Sequence, residues 1–198
     1  MNYSYKYKNG IFLARMQPLH MQVIEQALQE CERLIIILGS SNKEQALRNP
    51  FSISQRTHWL FMSLIDKEDF DRIKIFSLSD WSYENDTNEN NYWGRYLYYN
   101  IVSRIQAKTF TIYYSDDPEI IKSWLYNTEV EKNITLRLLD RNGIFDGLSA
   151  TKIRQAIIDK NIDYLERYLT KPVLENLEEI REYYLKIIEN PKEDFSMI

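Results

Sequence analysis

The stretch GIFLARMQPLHMQVIEQAL, residues 10–28, decides the fold. It opens on an almost wholly apolar run, GIFLARM, as expected of a strand covered on both faces. Arg15, Gln17, Pro18 and His20 then crowd a polar turn. Beyond it, Ile24, Ala27, Leu28 and Cys31 recur at i, i+3, i+4 and i+7, one stripe of a helix that starts near Met21. A strand, a tight turn and an amphipathic helix make the opening of a parallel βαβ unit.

The alternation continues along the chain. LIIIL (34–38), IKIFS (73–77), TFTIYY (109–114) and ITLRLL (134–139) read as further strands, with helices over 53–65, 92–106 and 117–126. The expected fold is α/β: a doubly wound, mainly parallel five-stranded, Rossmann-like sheet. From residue 151 onward the pattern is helical throughout. Pro172 is placed to start the last helix, with Val173, Leu177, Ile180, Tyr184 and Ile187 as its apolar positions. The polar stretch SYENDTNENN (82–91) reads as a loop, and PKEDFSMI (191–198) as a frayed end.

Composition sets outer bounds. At 198 residues, 44% hydrophobic and 27% charged, the chain can bury one sizeable core. A net charge of −4 argues against a general nucleic-acid binder. Cys31 is the only cysteine, which excludes an intramolecular disulfide and a thiol-rich metal site; its place in an apolar stripe makes it a core residue. The opening MNYSYKYKNG lacks the apolar stretch of a signal peptide, and the longest aliphatic run, Leu34 to Leu38, is far short of a membrane span. The expectation is a cytoplasmic protein with no membrane partner; a homo-oligomer is left open.

In an open parallel sheet, ligands bind beyond the carboxyl ends of the strands, where helix N-termini face anions. The first turn, with Arg15 and His20, is therefore the first candidate for a polyphosphate site. It resembles the first turn of the nucleotidyltransferase superfamily, whose signature is H-x-G-H. More narrowly it is similar to the archaeal-type nicotinamide-nucleotide (NMN) adenylyltransferases, which also form one half of certain bacterial Nudix fusions. Their turn runs roughly G-R-x-Q-P-x-H-x-G-H-x-x-V-I. Arg15, Gln17, Pro18, His20, Val23 and Ile24 match it, and Ala14 replaces the glycine. The turn is shortened: Met21 and Gln22 alone separate His20 from Val23, so one histidine and the glycine of the signature have no counterpart, and His20 stands for either of the two histidines.

Two further segments carry the resemblance. In GSSNKEQALRNPFSISQR (39–56), Gly39, Ser40, Arg48, Asn49, Pro50, Phe51 and Arg56 match a G-S loop, a basic residue, an [ND]-P-F turn and a helix with arginine in its first turn. In LSATKIR (148–154), Ser149, Thr151, Ile153 and Arg154 match a Y-S-G-T-x-[IV]-R signature. The physics of that spacing is plain: Ser149 can cap a helix whose N–H groups face an anion, and Arg154, one turn in, can reach the same phosphates. A looser match joins Asp80, Asn90 and Trp93, with Asn91 competing for the place of Asn90. The likeness runs from about Gly10 to Ile157.

The resemblance implies a nucleotidyltransferase domain over residues 1–170 and a C-terminal helix with a frayed tail over 171–198. It implies transfer of the adenylyl group of ATP to NMN, giving NAD and pyrophosphate. His20, Arg15 and Arg154 would be catalytic; Arg48, Gly39, Ser40, Ser149, Thr151 and Gln17 would hold ATP and its phosphates. Trp93, Asn90 and Asp80 would hold the nicotinamide, by stacking and by hydrogen bonds to its carboxamide. Mg²⁺ would ride on ATP, with no dedicated protein ligands. Two other readings stay open: a catalytically impaired relative that binds NAD, NMN or ATP, and an adenylyltransferase for another phosphorylated metabolite.

Overall fold

The computed structural model describes residues 5–17, 21–67, 69–80, 87–114, 118–125, 131–139 and 148–192. Five strands, β1 (Tyr7–Ala14), β2 (Cys31–Leu38), β3 (Ile73–Ser77), β4 (Phe110–Tyr114) and β5 (Ile134–Leu138), form one sheet in the order β3-β2-β1-β4-β5. Every pairing is parallel. The helices are α1 (Gln22–Glu30), α2 (Ile53–Leu64), α3 (Thr87–Ile105) and α4 (Pro118–Leu125), then α5 (Ala150–Ile158), α6 (Ile162–Tyr168), α7 (Lys171–Leu174) and α8 (Leu177–Glu189). This is the doubly wound α/β architecture expected from the alternating pattern.

Strand alternation divides the core in two. Leu34, Ile36 and Leu38 of β2 face a large cluster with α1, α2 and the C-terminal helices, while Ile35 and Ile37 face a smaller one with α3. Gly10 is required where β1 threads between its neighbours: a Cβ there would lie 2.8 Å from both Cys31 Sγ and Tyr113 Cε2. Gly94 does the same for α3, where a Cβ would overlap the carbonyl of Trp124 on α4.

Three expectations are corrected. Cys31 is a fully buried core residue, yet it begins β2 rather than closing α1. Its position satisfies both the helical stripe and the apolar run that follows, and pairing with Tyr7 of β1 settles it as strand. Helix α3 starts at Thr87, so residues 87–91 of the polar stretch are helical. Pro172 starts only the short α7; the helix is interrupted at Glu175 and Asn176, and the last helix begins at Leu177. Val173, Ile180, Tyr184 and Ile187 are nonetheless buried in the larger cluster, the aliphatic three each stabilising by about 1.5–3 kcal/mol. The tail beyond Lys192 lies outside the described residues.

Candidate active site

The strand order reverses direction at β1, which has β2 on one side and β4 on the other. The crevice at their carboxyl ends is the ligand position of such folds. The turn leaving β1 comes first. Arg15 is exposed, Met16 is buried with φ 52°, and Gln17 is buried. Pro18 and His20 lie outside the described residues.

Gln17 ties this turn to the N-P-F turn. Its Nε2 donates to Phe51 O at 3.1 Å, and Phe51 N donates to its Oε1 at 2.9 Å, a reciprocal amide pair. Phe51 is fully buried, edge-on to Trp59 with centroids 5.1 Å apart and stacked on Tyr183 of α8 at 6.0 Å. Ser52 then caps α2 in a capping box: Gln55 N donates to Ser52 Oγ at 3.2 Å, and Ser52 N to Gln55 Oε1 at 3.0 Å.

The LSATKIR segment reaches the same turn. Ser149 Oγ accepts from Lys152 N at 3.2 Å and caps α5, as its spacing predicts. One turn later Arg154, only 9% exposed, donates from Nη1 to Gln17 O at 2.7 Å and from Nη2 to Thr151 Oγ1 at 3.3 Å. Its buried Nε has no protein acceptor among the described residues. A buried guanidinium N–H without a protein acceptor is costly.

The turn leaving β2 is held by Arg56, a residue to which sequence reasoning assigned no site role. Arg56 is 0% exposed. Its Nη1 donates to Arg15 O at 2.7 Å and to Gly39 O at 2.9 Å, and Nη2 to Ser40 O at 3.1 Å. Burial pulls its pKa down to about 10, against the opposing pull of Asp80 and with a smaller push from Arg15. The signal was in the sequence: Arg56 falls on the stripe of Trp59, Leu60 and Leu64, a cation where the helix face is otherwise apolar.

Gly39 is not the residue that turns the chain. A Cβ there would make an ordinary 3.5 Å contact with Leu13, and the left-handed conformation belongs to Ser40, φ 52°. Ser40 donates from its amide (3.2 Å) and hydroxyl (2.7 Å) to the carboxylate of Asp80, which also pairs with Lys43 at 3.1 Å. Asp80 thus joins the β2 and β3 turns. Arg48 is exposed in the Ala46–Asn49 turn and has no ion pair among the described residues. Trp93 is half-buried between α3 and α4, edge-on to Trp124 with centroids 6.0 Å apart. The backbone of Asn90 belongs to α3; its side chain lies outside the described residues. Among the described residues, no three His, Cys, Asp or Glu side chains form a metal-binding group, and no helix is long and apolar enough to cross a membrane.

The structure therefore gathers Arg15, Gln17, Gly39, Ser40, Asp80, Thr151 and Arg154 into linked turns at one end of the sheet. Turns ordered by arginines, with the Arg15 side chain exposed beside them, suit a protein that handles phosphates. Residues 17–156 match the model of the cytidylyltransferase-like family. The nicotinamide-nucleotide adenylyltransferase of Thermococcus sibiricus is 30% identical over 175 residues, covering 87% of this chain and 84% of that protein. The nicotinamide/nicotinic acid mononucleotide adenylyltransferase of Acinetobacter baylyi is 34% identical over 79 residues, 38% of this chain and 42% of that protein. The crystal structure of a bifunctional NMN adenylyltransferase/ADP ribose pyrophosphatase from Francisella tularensis superposes with a TM-score of 0.70 at 22% identity. This chain spans 92% of its own length there and about half of that protein's, 53%; the same enzyme was also crystallised with AMP and a manganese ion. The chain belongs to the cytidylyltransferase-like family, in its nicotinamide-nucleotide adenylyltransferase branch.

Proposed function

We propose that this chain transfers the adenylyl group of ATP to NMN, giving NAD and pyrophosphate. The observation that supports this most directly is the convergence of the family's segments: Arg154 bonds the carbonyl of Gln17, and the Gln17 amide bonds Phe51. An NMN phosphate oxygen attacks the α-phosphorus of ATP in line. The new O–P bond forms as the bond from that phosphorus to the β-phosphate oxygen breaks, and pyrophosphate leaves with the electron pair. The attacking oxygen is already anionic at neutral pH, so no general base is needed. Catalysis then rests on positioning and on neutralising charge on the phosphates.

Arg15 and Arg154, with His20, are the groups proposed to stabilise that charge, and Arg48 to hold the ATP phosphates. The capped start of α5 at Ser149 and Thr151, and the Gly39–Ser40 turn, complete the phosphate side. Trp93, Asn90 and Asp80 form the proposed nicotinamide side, with the Trp93 ring oriented by Trp124. A divalent cation fits as a partner of the ATP phosphates rather than of the chain: the Asp80 carboxylate is already taken by Ser40 and Lys43. That ion would supply charge neutralisation on the leaving pyrophosphate. Residues 1–170 are read as the catalytic unit and 171–198 as the segment that braces it.

One feature of the sequence supports a second reading. The turn after His20 is shorter than the family signature and lacks a histidine. Losing one preorganised donor costs about 10²–10³ in turnover, which would leave a binder of ATP, NMN or NAD rather than an effective catalyst. Incubation with ATP, NMN and Mg²⁺, followed by chromatography for NAD, separates the readings. A variant with Gly-His inserted after His20 is run in parallel. NAD from the unmodified chain establishes the enzyme; NAD from the inserted variant alone establishes the binder. No NAD from either rejects the substrate, and nicotinate mononucleotide is then tried in place of NMN.

A further inference from the structure

The turns leaving β1 and β2 are built alike. Ala14 pairs with Leu38, so Met16 and Ser40 hold equivalent places two residues on, and both have φ 52°. The carbonyl before each of them, on Arg15 and Gly39, accepts from the same Nη1 of Arg56. Nη2 takes the next carbonyl, of Ser40. A single guanidinium thus sets the exit of two adjacent strands. It does so without solvent contact, being 0% exposed, so it cannot touch a substrate. It acts through Arg15, whose side chain is exposed, and through Ser40, which holds Asp80 and, by way of Asp80, Lys43.

We infer that Arg56 is a positioning residue for adenylyl transfer, holding the β1 and β2 turns in the register that lets Arg15 meet the substrate phosphates while Ser40 keeps Asp80 in place for the nicotinamide side. The inference rests on the function proposed above. A planar fork is suited to this task because Nη1 bridges the two strand ends while Nη2, held in the same plane, takes the next carbonyl of the β2 turn. A lysine carries the same charge on a single compact nitrogen: in the place of Nη1 it would leave the Ser40 carbonyl, which Nη2 takes, without its donor. Peptide planarity carries the effect outward: each carbonyl pinned by Arg56 fixes the orientation of the N–H that follows it, and so the start of the turn.

A mere structural brace would alter melting alone, and that separates the two roles. Arg56→Lys and Arg56→Gln are compared with the unsubstituted protein at a temperature where near-UV circular dichroism shows native packing. Positioning predicts a fall in kcat on the order of 10- to 100-fold, with KM for NMN moving by roughly threefold or less. It also predicts that Arg15→Ala combined with Arg56→Lys is no worse than the more damaging single change, as for residues acting as one unit. A folded variant with unchanged kcat, or losses that multiply in the double variant, overturns the inference. So does failure of both Arg56 variants to fold, because Arg56 is then required by the fold and not by the site. If the unsubstituted chain makes no NAD, the functional reading fails on its own. The same cycle is then read from calorimetric binding of Mg²⁺·ATP, where positioning predicts the same non-additive loss.

Discussion

Where α1 runs into β2, Arg137 meets Glu30 through two contacts, Nη2–Oε1 at 2.7 Å and Nε–Oε2 at 3.0 Å. Where β1 and β2 end, Arg56 and Arg154 bond main-chain carbonyls instead, and neither has a carboxylate partner among the described residues. In the first place charge is cancelled. The Arg137 guanidinium holds the Glu30 carboxyl below the usual glutamate range, and burial beside it pushes the Cys31 thiol up to about 11 and the Tyr113 phenol upward. In the second place the cations order the turns through carbonyls, and Asp80 acts on Arg56 only at a distance, without a hydrogen bond to it. Cations without a bonded carboxylate attract anions more than cations in a closed ion pair do. The two regions differ in purpose because they differ in what neutralises the arginine.

Substitutions at the carboxyl end should act mainly on turnover. Arg154→Ala is expected to lower the rate of NAD formation by about 10²–10³, the usual cost of losing one transition-state donor; a rate within threefold of the unsubstituted chain would remove Arg154 from the catalytic set. Gln17→Leu should act on stability as well, since it strands the buried N–H and carbonyl of Phe51. A loss of about 3 kcal/mol is expected from urea unfolding, and an unchanged midpoint would show that the two turns hold together without the amide.

At the other region the effects are smaller and tied to pH. The folded-state pKa of Glu30 is depressed, so its contribution is present above the ordinary glutamate value of 4.5 and lost as pH falls through the lower folded value. The unsubstituted chain should exceed Glu30→Gln by about 1 kcal/mol at pH 7, with the gap closing in acid. Thermal melts between pH 7 and pH 3 test this, and a gap that widens in acid would reverse the sign. The smallest effect concerns Cys31, whose raised pKa and complete burial predict no reaction with a thiol reagent at pH 8 until the protein is unfolded. Labelling of the native protein at the rate of a free thiol would show the β1–β2 region opening.

The strands were legible because apolar runs such as Leu34 to Leu38 admit few alternatives, and the helices because their stripes are long. Element edges were less so. Cys31 fits the end of one pattern and the beginning of another, and only its pairing with Tyr7 assigns it to β2. At the site, the motif spacing located Ser149 as a cap and Arg154 on the next turn, since both depend on residues a few positions apart. The division of labour was hidden. Gln17 reads as a phosphate group's partner, but its amide is committed to Phe51. Arg56 stands out as a cation on an apolar helix face, but its spacing does not say which carbonyls it holds.

Periodicity and spacing are properties of near neighbours, dictated by backbone sterics, and they were enough for the α/β order, the capped helix of LSATKIR and the family likeness. Burial and partnership are not local. The partners of Gln17 and Arg154 lie 34 and 137 residues away in the chain. Whether an arginine faces a phosphate or a peptide carbonyl is decided by which strand ends the sheet brings beneath it. That decision belongs to the packed structure, where desolvation turns an ordinary surface charge into the brace of two turns.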